Sequence, residues 1–228
     1  MPSQLKHLST KFLKWRYKNI SNKTFTHIMS VLVGLLAGLA SVTLKNIVYF
    51  IETSLEKGVL ISNNGIYFIL PIIGLTLVFL YVKFIHKEKL NHAVSSILFS
   101  LSKKKGVIEP KHIYTQLIAA PLTIGFGGST GLLGPAVASG AAISSNLGRL
   151  FHINSKTRSL LIACASAGAI ASIFQSPIAA IVFALEVFSL DFTMLSALPL
   201  LLASISGVLT SYFFLFLIWR HQKQNRYR

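Results

Sequence analysis

The sequence predicts an all-α integral membrane protein with long tilted spans and broken or re-entrant helices. Three uncharged runs, 113–148, 159–185 and 192–219, indicate this class, because about 20 apolar residues are enough to cross the hydrocarbon core of a bilayer. Only 12% of the 228 residues are charged, which is about half the share found in soluble domains. Glycines and prolines interrupt two of the runs and predict helices that stop inside the membrane.

The charge balance and the residue types exclude other classes. Lys and Arg number 22 against 6 Asp and Glu, a formal net charge of +16, but the bases stand at the ends of apolar runs. A nucleic-acid binder spreads them over a polar surface, so we expect no nucleic-acid partner. The single cysteine, Cys164, excludes a disulfide framework. We find neither metal-ligand spacing nor a nucleophile–base pair, and no lysine follows the glycine-rich stretch 125–135 as in a phosphate loop. We therefore expect no enzyme, no metal and no cofactor.

Residues 1–25 form the first of three predicted regions. They carry six bases and no acid, which predicts a basic amphipathic helix on the cytoplasmic membrane surface, with a solvated basic tail as the alternative. Basic short loops mark the cytoplasmic side, so the segments 83–111 and 149–158 should lie inside and the loop 52–64 outside. The bases of the first region are Lys6, Lys11, Lys14, Arg16, Lys18 and Lys23.

The second region, 26–219, is the predicted membrane domain, and its first half holds two spans. The first runs from about 26 to 51 and the second from about 65 to 85. The apolar segment 91–101 is too short to cross and has basic residues on both sides, so we expect it to be re-entrant or buried. The third region, 220–228, is a basic tail. Counting the spans from a cytoplasmic N-terminus places this tail outside, whereas the positive-inside rule predicts that a basic segment lies inside. An aberrant C-terminal end would produce such a conflict.

The run 113–148 contains the first helix break. Five glycines and a proline fall within 125–135, so one helix should end near Thr123 and another should begin near Pro135. Non-helical backbone inside a membrane must be buried in protein or line a wet cavity, and broken helices of this kind mark substrate sites in transporters. The alternative is close helix packing through small residues.

A second break is expected within 166–187. The residue before a proline is driven out of the α region, so one helix should end near Phe174. Another should start near Pro177 and continue to about Phe188.

Three segments carry a resemblance to a known family. Residues 131–135 read Gly-Leu-Leu-Gly-Pro and are followed by Gly148-Arg149. This resembles the second signature (Gly, basic or variable, Glu, Gly, Pro) of the CLC family of voltage-gated-type chloride channels and chloride/proton antiporters. The stretch 165–186 is similar to the family's next conserved stretch, and 91–95 takes the place of the first signature. The resemblance covers roughly residues 25–217 and only the N-terminal half of the family's membrane domain.

The resemblance implies a homodimer with one anion pore per subunit, each subunit being built from two inverted halves. Helix N-termini from both halves point at a central chloride, which backbone amides bind without a metal or a carboxylate. Carried over by position, the resemblance implies two groups of anion-binding residues in this chain: Gly131, Leu132, Leu133, Gly134 and Pro135 at one helix start, and Asn91, His92 and Ala93 before another.

The departures from the family pattern bear on mechanism. The family's gating glutamate is Leu133 in this chain, and the position of its inner proton-carrying glutamate is Val187. Neither residue titrates, so we expect passive chloride conduction in place of proton-coupled exchange. His92 replaces a serine that helps to hold the ion in many members.

The sequence leaves two functions open. The first is anion transport by a multi-pass cell-membrane protein with a cytoplasmic N-terminus, as a homodimer or with a separate second-half polypeptide. The second is a truncated fragment that only packs or dimerises in the lipid bilayer.

Overall fold

The computed structural model describes residues 21–59, 69–86, 93–191 and 193–226. In these ranges it is all-helical, with a short π-helical continuation, Val82–His86, after the second helix. The α-helices are α1 (Asn22–Val59), α2 (Leu70–Tyr81), α3 (Ala93–Lys103), α4 (Lys111–Gly125), α5 (Leu133–Leu150), α6 (Ser155–Phe174), α7 (Pro177–Val187) and α8 (Met194–Arg226).

Three segments of the described chain are long and apolar enough to cross a membrane: Asn22–Glu56 in α1, α6, and Met194–Phe216 in α8. With 38 residues, α1 is about 57 Å long, nearly twice the hydrocarbon thickness of about 30 Å. The helices α3 and α7 have 11 residues each, about 16 Å, and cannot cross. The fold is therefore that of an integral membrane protein which combines full spans with partial ones.

The helices α1, α6 and α8 form the centre of the bundle and touch through glycine. A Cβ added at Gly168 of α6 would lie 2.8 Å from the Gly34 Cα of α1 and 3.1 Å from the Ala203 carbonyl oxygen of α8. At Gly207 of α8, an added Cβ would lie 2.8 Å from the Gly168 Cα. Because apolar side chains gain little by leaving lipid, such close backbone contact is what holds membrane helices together.

The paired residues give the helix directions. Gly34 meets Ala203 and Gly38 meets Gly207, so contacts advance together along α1 and α8 and the two helices run parallel. In α6, Ser172 donates a hydrogen bond to the Gly38 carbonyl at 3.2 Å while Gly168 meets Gly34, so α6 also runs parallel to α1.

The helix α5 runs the opposite way. Gly140 packs against Ala165, and Gly148 packs against the Arg158 side chain, which makes α5 and α6 an antiparallel pair. Both therefore have one end at the level of the α1 N-terminus. The Phe25 and Phe151 rings meet there edge to face, with centroids 6.2 Å apart.

The connection before α4 is fastened to the same end of the bundle. The buried Ser145 hydroxyl donates to the Gly106 carbonyl at 2.7 Å and accepts from the Ile108 amide at 2.9 Å. The Arg158 guanidinium donates to the Ile153 carbonyl at 2.9 Å. The basic segments 103–105 and 149–158 thus lie at one end of the bundle, as the charge rule predicts for loops on one side of a membrane.

Some helix ends differ from the sequence expectation. α1 begins at Asn22 and continues through 52–56, where a polar connection was expected, because no glycine or proline interrupts it before Gly58. The Thr53 and Ser54 hydroxyls also bond back to the carbonyls of Tyr49 and Phe50, at 2.8 and 2.7 Å. α8 passes the expected boundary at 219 and reaches Arg226. Most of the expected N-terminal amphipathic helix, residues 1–20, lies outside the described residues, as does the loop 60–68.

Candidate functional site

The first predicted helix break lies between Gly125 and Leu133, within two residues of the expected ends. Gly127 and Gly131 have φ angles of +89° and +70°, which residues with a Cβ rarely adopt. The chain turns back at once, since the Gly128 amide donates to the Thr123 carbonyl at 2.9 Å. The glycines therefore let α4 end and α5 begin within a seven-residue connection, 126–132.

The N-terminus of α5 presents unused backbone donors. Leu132 is its N-cap and supplies no side-chain hydrogen bond. The first bond of the helix runs from the Ala136 amide to the Leu132 carbonyl at 3.1 Å, and Pro135 has no N–H. The amides of Leu133 and Gly134 precede that bond, so no carbonyl of α5 can accept from them. Together with the positive end of the helix dipole, they favour a small anion.

This helix start lies inside the span. Leu132 packs against a cluster formed by Leu44 and Val48 of α1 and Ala120 of α4, and Leu44 lies between the two ends of the apolar stretch Asn22–Glu56. The flanking residues 129–131 are exposed, while Leu133 and Gly134 are half-buried. The donors of α5 thus lie beside α1, within the length of its apolar stretch, and next to exposed residues of the preceding loop.

The second break has the predicted position. α6 ends at Phe174, Gln175 takes a left-handed conformation with φ +54°, and α7 begins at Pro177. Ser176 caps α7 without a side-chain bond. Because Ser172 bonds to Gly38, α6 ends beside the middle of α1. α7 then leads back to α8, whose N-terminus is level with that of α1. α6 and α7 therefore form a helical hairpin whose two outer ends lie at the same end of the bundle.

The structure places some of the residues that the resemblance singled out. Leu133 is the first residue of α5, and Val187 is the last of α7. Both are half-buried against the main core cluster, as is Val94 in the first turn of α3. Ala93 begins α3, whereas Asn91 and His92 lie outside the described residues. The described residues contain no group of His, Cys, Asp or Glu that could hold a metal ion.

Lys45 is the one charge within the first expected span, and the structure shows it exposed beside the buried Leu44.

Gly131 allows a test of the connecting loop. We expect Gly131→Ala to lower stability by about 1 kcal/mol, because an L residue in the left-handed region costs roughly 1–2 kcal/mol. No atom lies within 4 Å of the added Cβ, so steric overlap adds nothing. Gly131→Asn should cost less, since asparagine tolerates this conformation. The measurement is the midpoint of heat-induced loss of the monodisperse peak in detergent. Equal midpoints for wild type and Gly131→Ala would contradict the expectation.

The fold and its two breaks define a multi-pass membrane protein whose helices end inside the bilayer, an architecture used by transporters and channels. Residues 73–222 match the family model described as voltage gated chloride channel. The chain therefore belongs to the voltage-gated chloride channel family.

The chain is also similar to individual proteins. The chain is similar to the chloride channel protein CLC-e of Arabidopsis thaliana, with 30% identity over 68% of this chain and 23% of the relative. It is similar to an uncharacterized protein of Methanocaldococcus jannaschii, with 28% identity over 79% of this chain and 42% of the relative. The crystal structure of a CLC-type fluoride/proton antiporter matches with a TM-score of 0.66 and 28% identity, covering 84% of this chain and 47% of that one. The chain thus spans less than half the length of these relatives.

Proposed function

We propose that this chain is the N-terminal half of an anion pathway and conducts chloride or a similar small anion across a membrane. The observation that carries the proposal is the bare N-terminus of α5 inside the span. Its amides at Leu133 and Gly134 have no intrahelical acceptor. A dehydrated anion needs such donors, and here they require no ionised side chain.

We propose that conduction is passive. Leu133 occupies the position of the gating glutamate and Val187 that of the inner glutamate, and neither side chain can accept a proton. Their apolar side chains pack against the core cluster. Among the described residues, Glu186 is the one carboxylate of α6 and α7, and it is exposed near the end of α7.

The pathway requires further protein. A single helix N-terminus encloses an anion on one side only, and the family relatives are more than twice as long as the matched part. We propose that a second half, either a separate polypeptide or a second copy, completes the pore, and that complete pores pair as dimers. We further propose that the protein resides in the cell membrane with its N-terminus in the cytoplasm, following the bases gathered at that end of the bundle.

Anion efflux from liposomes tests the function. We expect vesicles that hold the purified chain to release chloride faster than protein-free vesicles when a potassium ionophore dissipates the voltage. A pH-sensitive dye should record no proton movement driven by the chloride gradient. Protons pumped by that gradient would contradict passive conduction.

The same assay tests whether this chain can transport anions without a second polypeptide. An absence of efflux from a folded, monodisperse preparation would overturn transport by this chain alone and leave two interpretations, a pore completed by a separate second-half polypeptide and a non-transporting fragment. Fluoride efflux, recorded in parallel with a selective electrode, reports which small anion the pathway takes.

A further inference from the structure

Basic residues of two chain segments gather at the end of the bundle where α5 ends and α6 begins. The Arg158 guanidinium joins the segments, since it donates to the Lys105 carbonyl at 3.4 Å and to the Ile153 carbonyl at 2.9 Å. The Arg158 side chain also packs against Gly148, where an added Cβ would lie 3.2 Å from the Arg158 Cγ, and Arg149 follows directly. We call this set the basic surface, and its residues are Lys103, Lys104, Lys105, Arg149, Lys156 and Arg158.

Ion pairs within the described chain do not balance the charge of the basic surface. Arg149, Lys156 and Arg158 form none with a described residue, and Glu109, the acid of the neighbouring connection, pairs with Lys111 at 2.8 Å. The Arg158 Nε is buried and has no acceptor in the part of the chain that the structure describes. α6 has no acid in its first turn, so Lys156 and Arg158 lie at the positive end of its dipole, where cations are unfavourable. A bound anion would relieve this excess of positive charge.

The basic surface lies where a bilayer presents its headgroups. Lys156 and Arg158 belong to the first turn of α6, a helix long and apolar enough to span, and Arg149 belongs to the last turn of α5. Their charges therefore lie at the edge of the hydrocarbon region, next to the layer of lipid phosphates. Leu150, the neighbour of Arg149, is apolar and 49% exposed. A phosphate attached to acyl chains suits both residues, whereas a soluble anion would leave the exposed leucine uncovered.

We propose that the basic surface binds the headgroup of an anionic phospholipid, whose acyl chain lies against Leu150. Arginine suits this role, because its guanidinium makes strong charge-assisted hydrogen bonds to phosphate, and basic pockets between membrane helices bind acidic headgroups. The site is separate from the proposed anion pathway, since Arg149 and Leu150 end α5 while the amides of Leu133 and Gly134 begin it. Lipid binding can therefore be tested without transport.

Quenching by brominated lipids tests the binding in vesicles. In a Trp15→Phe/Trp219→Phe background, Leu150→Trp places a fluorophore beside Arg149. We expect brominated phosphatidylglycerol to associate there about tenfold more tightly than brominated phosphatidylcholine. Arg149→Gln/Lys156→Gln should reduce this preference to about twofold or less, and both side chains are exposed, so the fold should persist.

The matched control for the quenching is Lys45→Gln. It removes an exposed lysine from within the apolar stretch of α1, away from the basic surface, and should keep the full lipid preference. Equal association of the two lipids would overturn the proposal. A preference that survives in Arg149→Gln/Lys156→Gln, or that Lys45→Gln lowers as much, would also overturn it.

A thermal measurement in detergent distinguishes a lipid from a soluble anion. Dioctanoyl phosphatidylglycerol should raise the midpoint of heat-induced loss of the monodisperse peak by several degrees, because a ligand of the folded state stabilises it. Dioctanoyl phosphatidylcholine and inorganic phosphate at the same concentration should not. An equal rise with inorganic phosphate would overturn the lipid as the occupant and assign the surface to a free anion. No rise with dioctanoyl phosphatidylglycerol would overturn the binding itself.

Discussion

Replacing Leu133 with glutamate is expected to reduce chloride efflux about tenfold or more at neutral pH. Leu133 is the first residue of α5, so the carboxylate would stand at the amides that we propose bind the anion. Negative charge is stabilised there by up to roughly 2 kcal/mol, which lets the side chain compete with chloride and repel it. Because this stabilisation holds the pKa of the carboxyl below the ordinary glutamate value of about 4.3, efflux should recover only as the pH falls to about 3. The measurement is the initial efflux rate against pH.

Leu133→Gln is the matched control for this substitution. It has nearly the size of glutamate without the charge, so its efflux should stay within about twofold of wild type and should not change with pH between about 3 and 7. If glutamate and glutamine lower efflux equally at every pH, the effect is steric, and residue 133 does not act on the anion electrostatically.

Placing leucine at Gly168 is expected to destroy the central packing of the bundle. A single added Cβ would already lie 2.8 Å from the Gly34 Cα and 3.1 Å from the Ala203 carbonyl oxygen. Both are backbone atoms of helices that are themselves packed, so neither can move aside as a side chain can. Overpacking costs typically 1–3 kcal/mol and occasionally more, and we expect at least about 3 kcal/mol here. The purified fraction that stays monodisperse in detergent should fall to near zero.

A graded series separates this packing effect from a general intolerance of substitution. Gly168→Ala should lower the thermal midpoint of the monodisperse fraction, but less than leucine does. Thr43→Leu adds bulk to an exposed face of α1 and should leave the midpoint within a few degrees of wild type. A stable Gly168→Leu protein would mean that the three helices do not meet at this glycine.

Local chemistry explains which parts of the fold could be predicted from the sequence. The break at Pro177 was predicted to the residue because proline acts on its own backbone and on its predecessor. The two ends of the break around Pro135 were predicted only to within two residues, because any of several glycines within 125–131 could end a helix. The continuation of α1 past Glu52 was missed, because an apolar pattern reports the thickness of the membrane rather than the length of the helix.

Long-range packing explains what could not be predicted. The hydrogen bond from Ser172 to Gly38 joins residues 134 positions apart, and no local pattern reveals that Gly34, Gly168 and Gly207 meet at one place. The candidate site also has one part that could be predicted from the sequence and one part that could not. The amides of α5 follow from the position of the break, whereas the contact of this helix start with α1 depends on how Leu44 packs against Leu132.

The parallel course of α1 and α8 has a consequence for how a larger pore could arise. The start of α1 and the end of α8 lie at opposite ends of the bundle, so the described unit enters at one membrane face and leaves at the other. A second copy fused to the C-terminal end of such a unit would begin at the opposite membrane face and would insert in the inverted orientation. Gene duplication and fusion would then give two such units in opposite orientations across the membrane, without rearrangement inside either unit.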